Sequence, residues 1–486
     1  MLRIMPIATL LLLLPGVACS NTYSTVRREV SVAQLWRRSD VRRQSTPIAR
    51  PAAPAETHES FAAKTPDGLV EFTLIALERS PAIAAALADV EAKLERIPQV
   101  TSLDDPMLRL VTRPEPIQTA AGNIVFTLAA SQRIPLPRKL DLKGKMAAED
   151  VREAIDRLNA LRLRVIADVQ RAYYGIYVSD RAIEITERNM ALLQELDRVA
   201  GAQLEVGKAD QQAVLRVQTE LSELDNALNQ HRGRRVGAVA AMNQLLDRPT
   251  TTDIDTLPVL DGADFDARLE TLLELGARHN PELAALAHRA ERDRYASDLA
   301  TLAYVPDLTL GFEWNHADGR APFVPPVNPQ TRVRPPYNDA SAQGDDNWAL
   351  TIGVNIPVWA QRNEAAKREA LKRIEATDND RRAMARMIEF RIHDAFARAE
   401  TDRASVSLLE TTIIPQARQT YEASVLAYQE GEEKFISVID NWRKVLMFEL
   451  MMHRDTASMQ TALADLQREV GASLVLTDTE RQEAQP

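Results

Sequence analysis

Apolar positions change their spacing several times along this 486-residue chain. Between residues 308 and 314 they alternate: Leu308, Leu310, Phe312 and Trp314 share one parity, and Thr309, Gly311 and Glu313 the other. The alternation returns over residues 347–358, where Trp348, Leu350, Ile352, Val354, Ile356 and Val358 are set against Asn347, Ala349, Thr351, Gly353 and Asn355. A period of two predicts strands with one apolar face. Apolar residues opposed to small or polar ones suit a strand between lipid and a watery lumen, and also fit a half-buried hairpin of a soluble sheet. Both tryptophans abut a long loop, where a transmembrane barrel places its aromatic girdle. A less regular version runs through residues 107–111 and then Ile124, Phe126 and Leu128.

Elsewhere the spacing is helical. Leu69, Phe72, Ile75 and Ala76 predict a short amphipathic helix, as do Leu269, Leu272, Leu273 and Leu275. A far longer helix is predicted from Leu140 to Val206, roughly 100 Å at 1.5 Å per residue. Ile155, Leu158, Leu161, Val165, Ile176, Ile183 and Met190 give it a coiled-coil seam. The chain turns at Gly207 and returns to about Asp247 through Val217, Leu221, Leu224 and Leu228. A helix this long cannot pack within one compact domain, so it must lie against its own return, its repeat mate and other subunits.

The pattern occurs twice. SPAIAAALADVEA resembles NPELAALAHRAER, with Pro81 and Pro281 200 residues apart. SQRIPLPRKLDLKGKMAAE resembles GVNIPVWAQRNEAAKREAL, with Pro135 and Pro357 222 apart, and Gly207 answers Gly431 at 224. The jump of 22 falls between Asn315 and Asp346, a Pro-, Asn- and Asp-rich stretch that reads as an enlarged loop. Two tandem units result, residues 67–260 and 261–474, followed by a flexible tail over 475–486.

The amino terminus reads as an address. Arg3 precedes the apolar run from Ile7 to Leu14, and small residues lead to Cys19, so residues 1–18 form a secretory signal peptide. Cys19 directly after it resembles a bacterial lipobox, with Gly16 where Leu is usual. Residues 19–66, with Pro47, Pro51 and Pro54, read as an extended tether that is lipidated at Cys19. Beyond the signal no run approaches the ~18 apolar residues of a membrane-spanning helix, so any crossing must use strands.

Composition narrows the function classes. The net charge of −10 argues against nucleic-acid binding. With Cys19 as the one cysteine, neither an intramolecular disulfide nor a cysteine metal site is available. The seven histidines form no metal-ligand spacing, and no phosphate loop or nucleophile elbow is present, so neither an enzyme nor a cofactor is expected. Met447, Met451, Met452 and His453 could be soft-metal ligands, but the four-residue step between Met447 and Met451 equally makes a core stripe, the reading adopted.

Paired helical hairpins of this length, each interrupted by two strands on an exported chain, resemble the TolC family of outer-membrane efflux channels over residues 66–473. The resemblance implies a mainly α fold with a small β part. Three protomers would share a 12-stranded transmembrane barrel, four strands each, above a periplasmic helical tunnel. Four strands cannot close a barrel alone, and an open edge in lipid is costly, which fits a homotrimer. The lipid face would be Leu308, Leu310, Phe312, Trp314, Trp348, Leu350, Ile352 and Val354. SQRIPLPRKLDLKGK resembles the strand-to-helix junction of the heavy-metal resistance branch, with Arg138 where a glycine is common.

Two segments resemble the family's periplasmic tips. The first contains Gly207, Lys208 and Asp210, with Ala213 where an Asp is usual; the second contains Gly431, Glu432, Glu433 and Lys434. Asp440 falls at an acidic position of the tunnel constriction and Ser437 replaces a second acid, so these two define the implied gate. Glu432, Glu433 and Lys434 read equally as a solvated turn or as a docking point. The implied function is a passive duct of a tripartite efflux pump, with heavy-metal cations the cargo that the junction motif suggests, working with a periplasmic adaptor (membrane fusion protein) and an inner-membrane RND-type transporter. Its alternative is a lipid-anchored periplasmic adaptor or coiled-coil scaffold that does not span the membrane.

Overall fold

A computed structural model describes residues 17–34, 68–120, 122–205, 211–256, 260, 268–319, 326–334 and 344–471. Helices dominate, with one small antiparallel sheet, as the spacing requires. In chain order the elements are α1 (Val17–Gln34), α2 (Leu69–Arg79), α3 (Pro81–Leu94), α4 (Arg96–Thr101), β1 (Met107–Thr119), β2 (Gly122–Ile134), α5 (Pro137–Glu205) and α6 (Gln211–Leu245). The second half supplies α7 (Leu269–His279), α8 (Pro281–Thr301), β3 (Leu308–Asp318), β4 (Asn347–Val354), α9 (Ala360–Leu408), α10 (Ile414–Glu430) and α11 (Phe435–Val470).

Helices α2 and α7 start and stop 200 residues apart, and each hands over to the next helix through a capping side chain. Asn280 Oδ1 accepts the backbone N–H of Glu282 at 2.8 Å, and Ser80 Oγ accepts that of Ile83 at 3.5 Å. The predicted long helix is present as the 69 residues of α5, and its return as α6. The second half differs from the first. Its outgoing helix is broken by a π turn at Leu409–Ile413 just before Pro415. Proline has no N–H to donate and its ring crowds the carbonyl four residues back, so the wider i→i+5 turn relieves the clash.

The chain divides into two compact units, each assembled from three segments. One combines Met1–Arg28, Ala92–Val151 and His288–Asp378; the other combines Glu29–Glu91, Arg152–Ala287 and Asn379–Pro486. The first contains the sheet, with strand order β1-β2-β3-β4 and every neighbour antiparallel. In the second, Leu272 of α7 is buried against Ile388 and Ile392 of α9 and Leu463 and Leu466 of α11. A second cluster there joins Leu193 and Leu196 of α5, Val217 and Leu224 of α6, and Phe435, Val438, Ile439 and Trp442 of α11.

Three expectations are corrected. The tether is not extended throughout: residues 17–34 are helical, because Val26 and Val30, one turn apart, are both buried. Residues 35–66 lie outside the described residues. Strand β4 ends at Val354 rather than Val358, since β3 begins at Leu308, opposite Val354, and Pro357 cannot extend a ladder. Met447 and Met451 are not a core stripe: Met447 is exposed and Met451 half-buried, and the helix instead buries Trp442, Val445 and Glu449.

Candidate functional site: the sheet faces and a hairpin tip

The sheet sorts its side chains by chemistry. Register places Leu308 opposite Val354, Leu310 opposite Ile352, Phe312 opposite Leu350 and Trp314 opposite Trp348. Residues directly opposite share a face, so the eight side chains expected to meet lipid lie on one face of the sheet. The same face continues through Phe126, Leu128 and Ala130 of β2 and Leu108 and Leu110 of β1. Leu350 and Ile352 are 71% and 74% exposed. Rings cluster at one end, with Phe126 edge-on to Trp314 at 5.6 Å and Phe312 stacked on Trp348 at 6.5 Å. An apolar face this broad calls for an apolar environment.

The opposite face is polar and bonded across every strand. Arg113 Nη1 donates to Thr127 Oγ1 at 2.7 Å, Thr127 Oγ1 to Asn315 Oδ1 at 2.5 Å, and Asn315 Nδ2 to Asn347 Oδ1 at 2.8 Å. Arg109 lies 3.7 Å from Glu313 on the same face. Period-two spacing puts Thr309, Gly311 and Glu313 on this face; the ladder, which joins one side chain from each of the four strands, has no local sequence signal.

Where the strands meet the helices, Asp307 gathers the ends. Its side chain is 6% exposed, and it accepts from Lys139 Nζ at 2.7 Å and Arg133 Nη2 at 2.5 Å. Its backbone N–H donates to Asn355 Oδ1 at 2.5 Å. Burial alone would raise the Asp307 pKa; the hydrogen bonds and charges of Lys139 and Arg133 outweigh it and hold the carboxyl below its ordinary value. Arg133 and Lys139 belong to the SQRIPLPRKLDLKGK motif, whereas Asp307 was not singled out; its signal was a lone acid between Pro306 and a strand.

In the other unit, α10 and α11 meet in a tight tip. Gly431 has φ 82°, the left-handed conformation that glycine adopts without strain. The N–H of Glu432 closes on the carbonyl of Ala427 at 2.9 Å, and Tyr428 and Phe435 meet edge to face at 5.1 Å. Glu432, Glu433 and Lys434 are exposed around this turn. Ser437 is half-buried and donates to Glu433 Oε1 at 2.7 Å, so it holds the first turn of α11. Asp440 is exposed, one turn before Arg443. Arg443 Nε donates to Glu220 Oε2 of α6 at 2.9 Å, a link between helices far apart in the chain that has no local sequence signal. That hydrogen bond, with the nearby Glu223 and Asp440 charges, raises the Arg443 pKa despite partial burial.

Gly207, Lys208 and Asp210 of the first tip lie outside the described residues, as do residues 1–16, 261–267 and 472–486. Cys19 falls in the first turn of α1. His453 Nδ1 is engaged by the Tyr177 hydroxyl at 2.8 Å, and burial lowers its pKa. Among the described residues no group of three or more His, Cys, Asp or Glu is placed to hold a metal ion, and no helix is long and apolar enough to cross a membrane.

A family model described as "Outer membrane efflux protein" matches residues 75–248 and 272–472. Solved structures share the fold at low identity. A structure of CusC, described as revealing changes that accompany transmembrane channel formation, superimposes with TM-score 0.67 at 15% identity, covering 83% of this chain and 91% of that one. The outer membrane protein VceC of Vibrio cholerae gives 0.67 at 15%, covering 83% and 96%. The CmeC outer membrane channel of Campylobacter jejuni gives 0.67 at 13%, covering 90% and 98%. No curated protein matches the chain.

Proposed function

From the premise that the chain belongs to the outer membrane efflux protein family and is an outer-membrane efflux channel, we propose that it acts as the passive exit duct of a tripartite pump. The observation that carries this is the sheet, which turns eight apolar side chains to one face and a bonded polar ladder to the other. One face suits lipid and the other a watery lumen. Strands β1 and β4 are its outer strands among the described residues, so three chains would each supply four strands to one closed barrel. Residues 67–260 and 261–474 are then the two repeats of each protomer, with a short tail beyond.

In this reading the signal over residues 1–18 directs export, and Cys19 carries a lipid in the outer membrane; Cys19→Ser should abolish palmitate labelling, and unchanged labelling would remove the anchor. The tips around Gly207, Lys208 and Asp210 and around Gly431, Glu432, Glu433 and Lys434 meet a periplasmic adaptor. Asp440, beside Ser437, closes the periplasmic gate. The energy comes from an inner-membrane RND-type transporter, and the chain contributes no chemistry of its own. The junction motif makes heavy-metal cations the cargo to test first. Outer-membrane extracts run with and without heating decide the assembly: a heat-sensitive trimer is expected, and a chain that migrates only as monomer and leaves the membrane fraction with salt would be a scaffold rather than a duct.

A further inference from the structure

Resting on the channel reading, we infer that Arg113 places a cationic ring in the outer mouth of the barrel, one guanidinium per chain, and that this ring favours anions over bare cations there. The ladder across the sheet fixes which way the charge faces. Thr127, which receives Arg113, sits between Phe126 and Leu128 on β2, and those two belong to the apolar face. Thr127 therefore belongs to the other face, as do its register partner Asn315 and, beyond it, Asn347. A strand that turns its apolar side to lipid turns this side to the lumen.

The direction of the hydrogen bonds matters. Thr127 is 2% exposed and donates its single hydroxyl proton to Asn315 Oδ1, so the lone pairs of its oxygen are left to accept from Arg113. The asparagine amide then passes the chain to Asn347. Arg113 is thus the first donor of a ladder whose every acceptor is neutral. Its neighbours differ: Arg109 faces Glu313 at 3.7 Å, and Arg133 is bonded to Asp307. Among the described residues Arg113 has no ion-pair partner, so its charge is positioned but not cancelled.

Height along the strands is set by the tryptophans. Trp314 and Trp348 lie one residue from Asn315 and Asn347, at the end where the β1–β2 turn and the long β3–β4 connection emerge. Barrels place an aromatic girdle and their longer loops at the outer surface. Of the acids at this end, Asp346 accepts from the N–H of Ala317 at 3.2 Å and meets His316 Nδ1 at 2.8 Å, and Asp318 lies 3.5 Å from His316 Nε2; Glu115, in the irregular stretch of β1, and Asp345 are exposed, and no side chain of the ladder fixes them as Thr127 fixes Arg113. A ring of side-chain charge held at a fixed position in the wall biases a pore toward ions of the opposite sign.

The test uses the full chain in planar bilayers under a KCl gradient. Arg113→Gln should lower the chloride-to-potassium permeability ratio by roughly twofold, and Arg113→Lys should keep it near wild type. In Arg113→Cys, an anionic methanethiosulfonate added from the outer side should change the single-channel current, with the wild type, which carries only Cys19, as control. A wild-type ratio in a conducting Arg113→Gln pore, or an Arg113→Cys current that ignores the reagent, overturns the ring and leaves the duct standing. Should Arg113→Gln not assemble, the ratio in Arg113→Lys and the reagent response of Arg113→Cys still decide the matter. A wild-type chain that opens no pore overturns the channel reading itself, and the ring with it.

Discussion

The indole N–H of Trp442 donates to Asn189 Oδ1 across 2.9 Å, with the two residues 1% and 5% exposed. The bond joins α11 to α5 beside the cluster that underlies the tip between α10 and α11. Asn189 also donates to the carbonyl of Ile185 at 2.8 Å, so the amide is committed on both sides. Trp442→Phe keeps a ring but strands the amide oxygen. We expect a loss of about 1–3 kcal/mol, read from denaturant unfolding of the helical signal. A change below about 0.5 kcal/mol would mean that water reaches the oxygen and the bond is dispensable.

Asp307 ties its unit's stability to pH. Its folded carboxyl titrates below the ordinary value of 3.8, so the stabilisation from Lys139 and Arg133 is fully present above that value. It is lost as pH falls through the depressed folded value. Asp307→Asn should therefore destabilise the protein at neutral pH and flatten the acid limb of the stability profile below 3.8. Parallel acid limbs in wild type and variant would show that other carboxylates carry the effect.

The two sheet faces respond differently to one charge. Leu350→Arg or Ile352→Arg should impair insertion by about 2–4 kcal/mol near the bilayer midplane. Thr351→Arg, between them on the polar face, should be far milder. Yields of heat-sensitive trimer in membranes measure this, and equal losses at both positions would put the sheet in a soluble core.

Asp440 is expected to act at the gate without holding the assembly together, since its carboxylate is exposed. Asp440→Asn should leave the trimer intact and weaken block of single-channel current by trivalent cations from the periplasmic side, with Asp210→Asn doing much less. The reverse ranking would move the acidic ring to the first tip and break the alignment of the two repeats there.

How much of this was legible depends on whether the information is local. Period is local, so the strands, the long helix α5, its return and the apolar face from Leu308 to Val354 could be read from spacing alone. Partners separated by a repeat length could not. Asp307 depends on Arg133 and Lys139, Trp442 on Asn189, and Arg443 on Glu220, and each pair is brought together only by the fold. Ser437 was legible as a position but not as a role: it caps a turn through Glu433. The π turn was readable in principle from Pro415 within a helical pattern, but the pattern on both sides is intact and hid it. The α1 helix was obscured by a polar composition in which two valines, Val26 and Val30, suffice to bury one face.

The open sheet has a kinetic corollary. Strands β1 and β4 each leave a row of backbone N–H and C=O groups without a neighbour among the described residues, and hydrocarbon offers them none. In the proposed trimer a solitary protomer would have to wait in water until companions arrive, and entry into the bilayer would become a collective event. Its rate should climb faster than linearly with the number of chains exported. A modest fall in expression would then cost a cell disproportionately many finished pores, and the waiting population would be what periplasmic chaperones and proteases meet first.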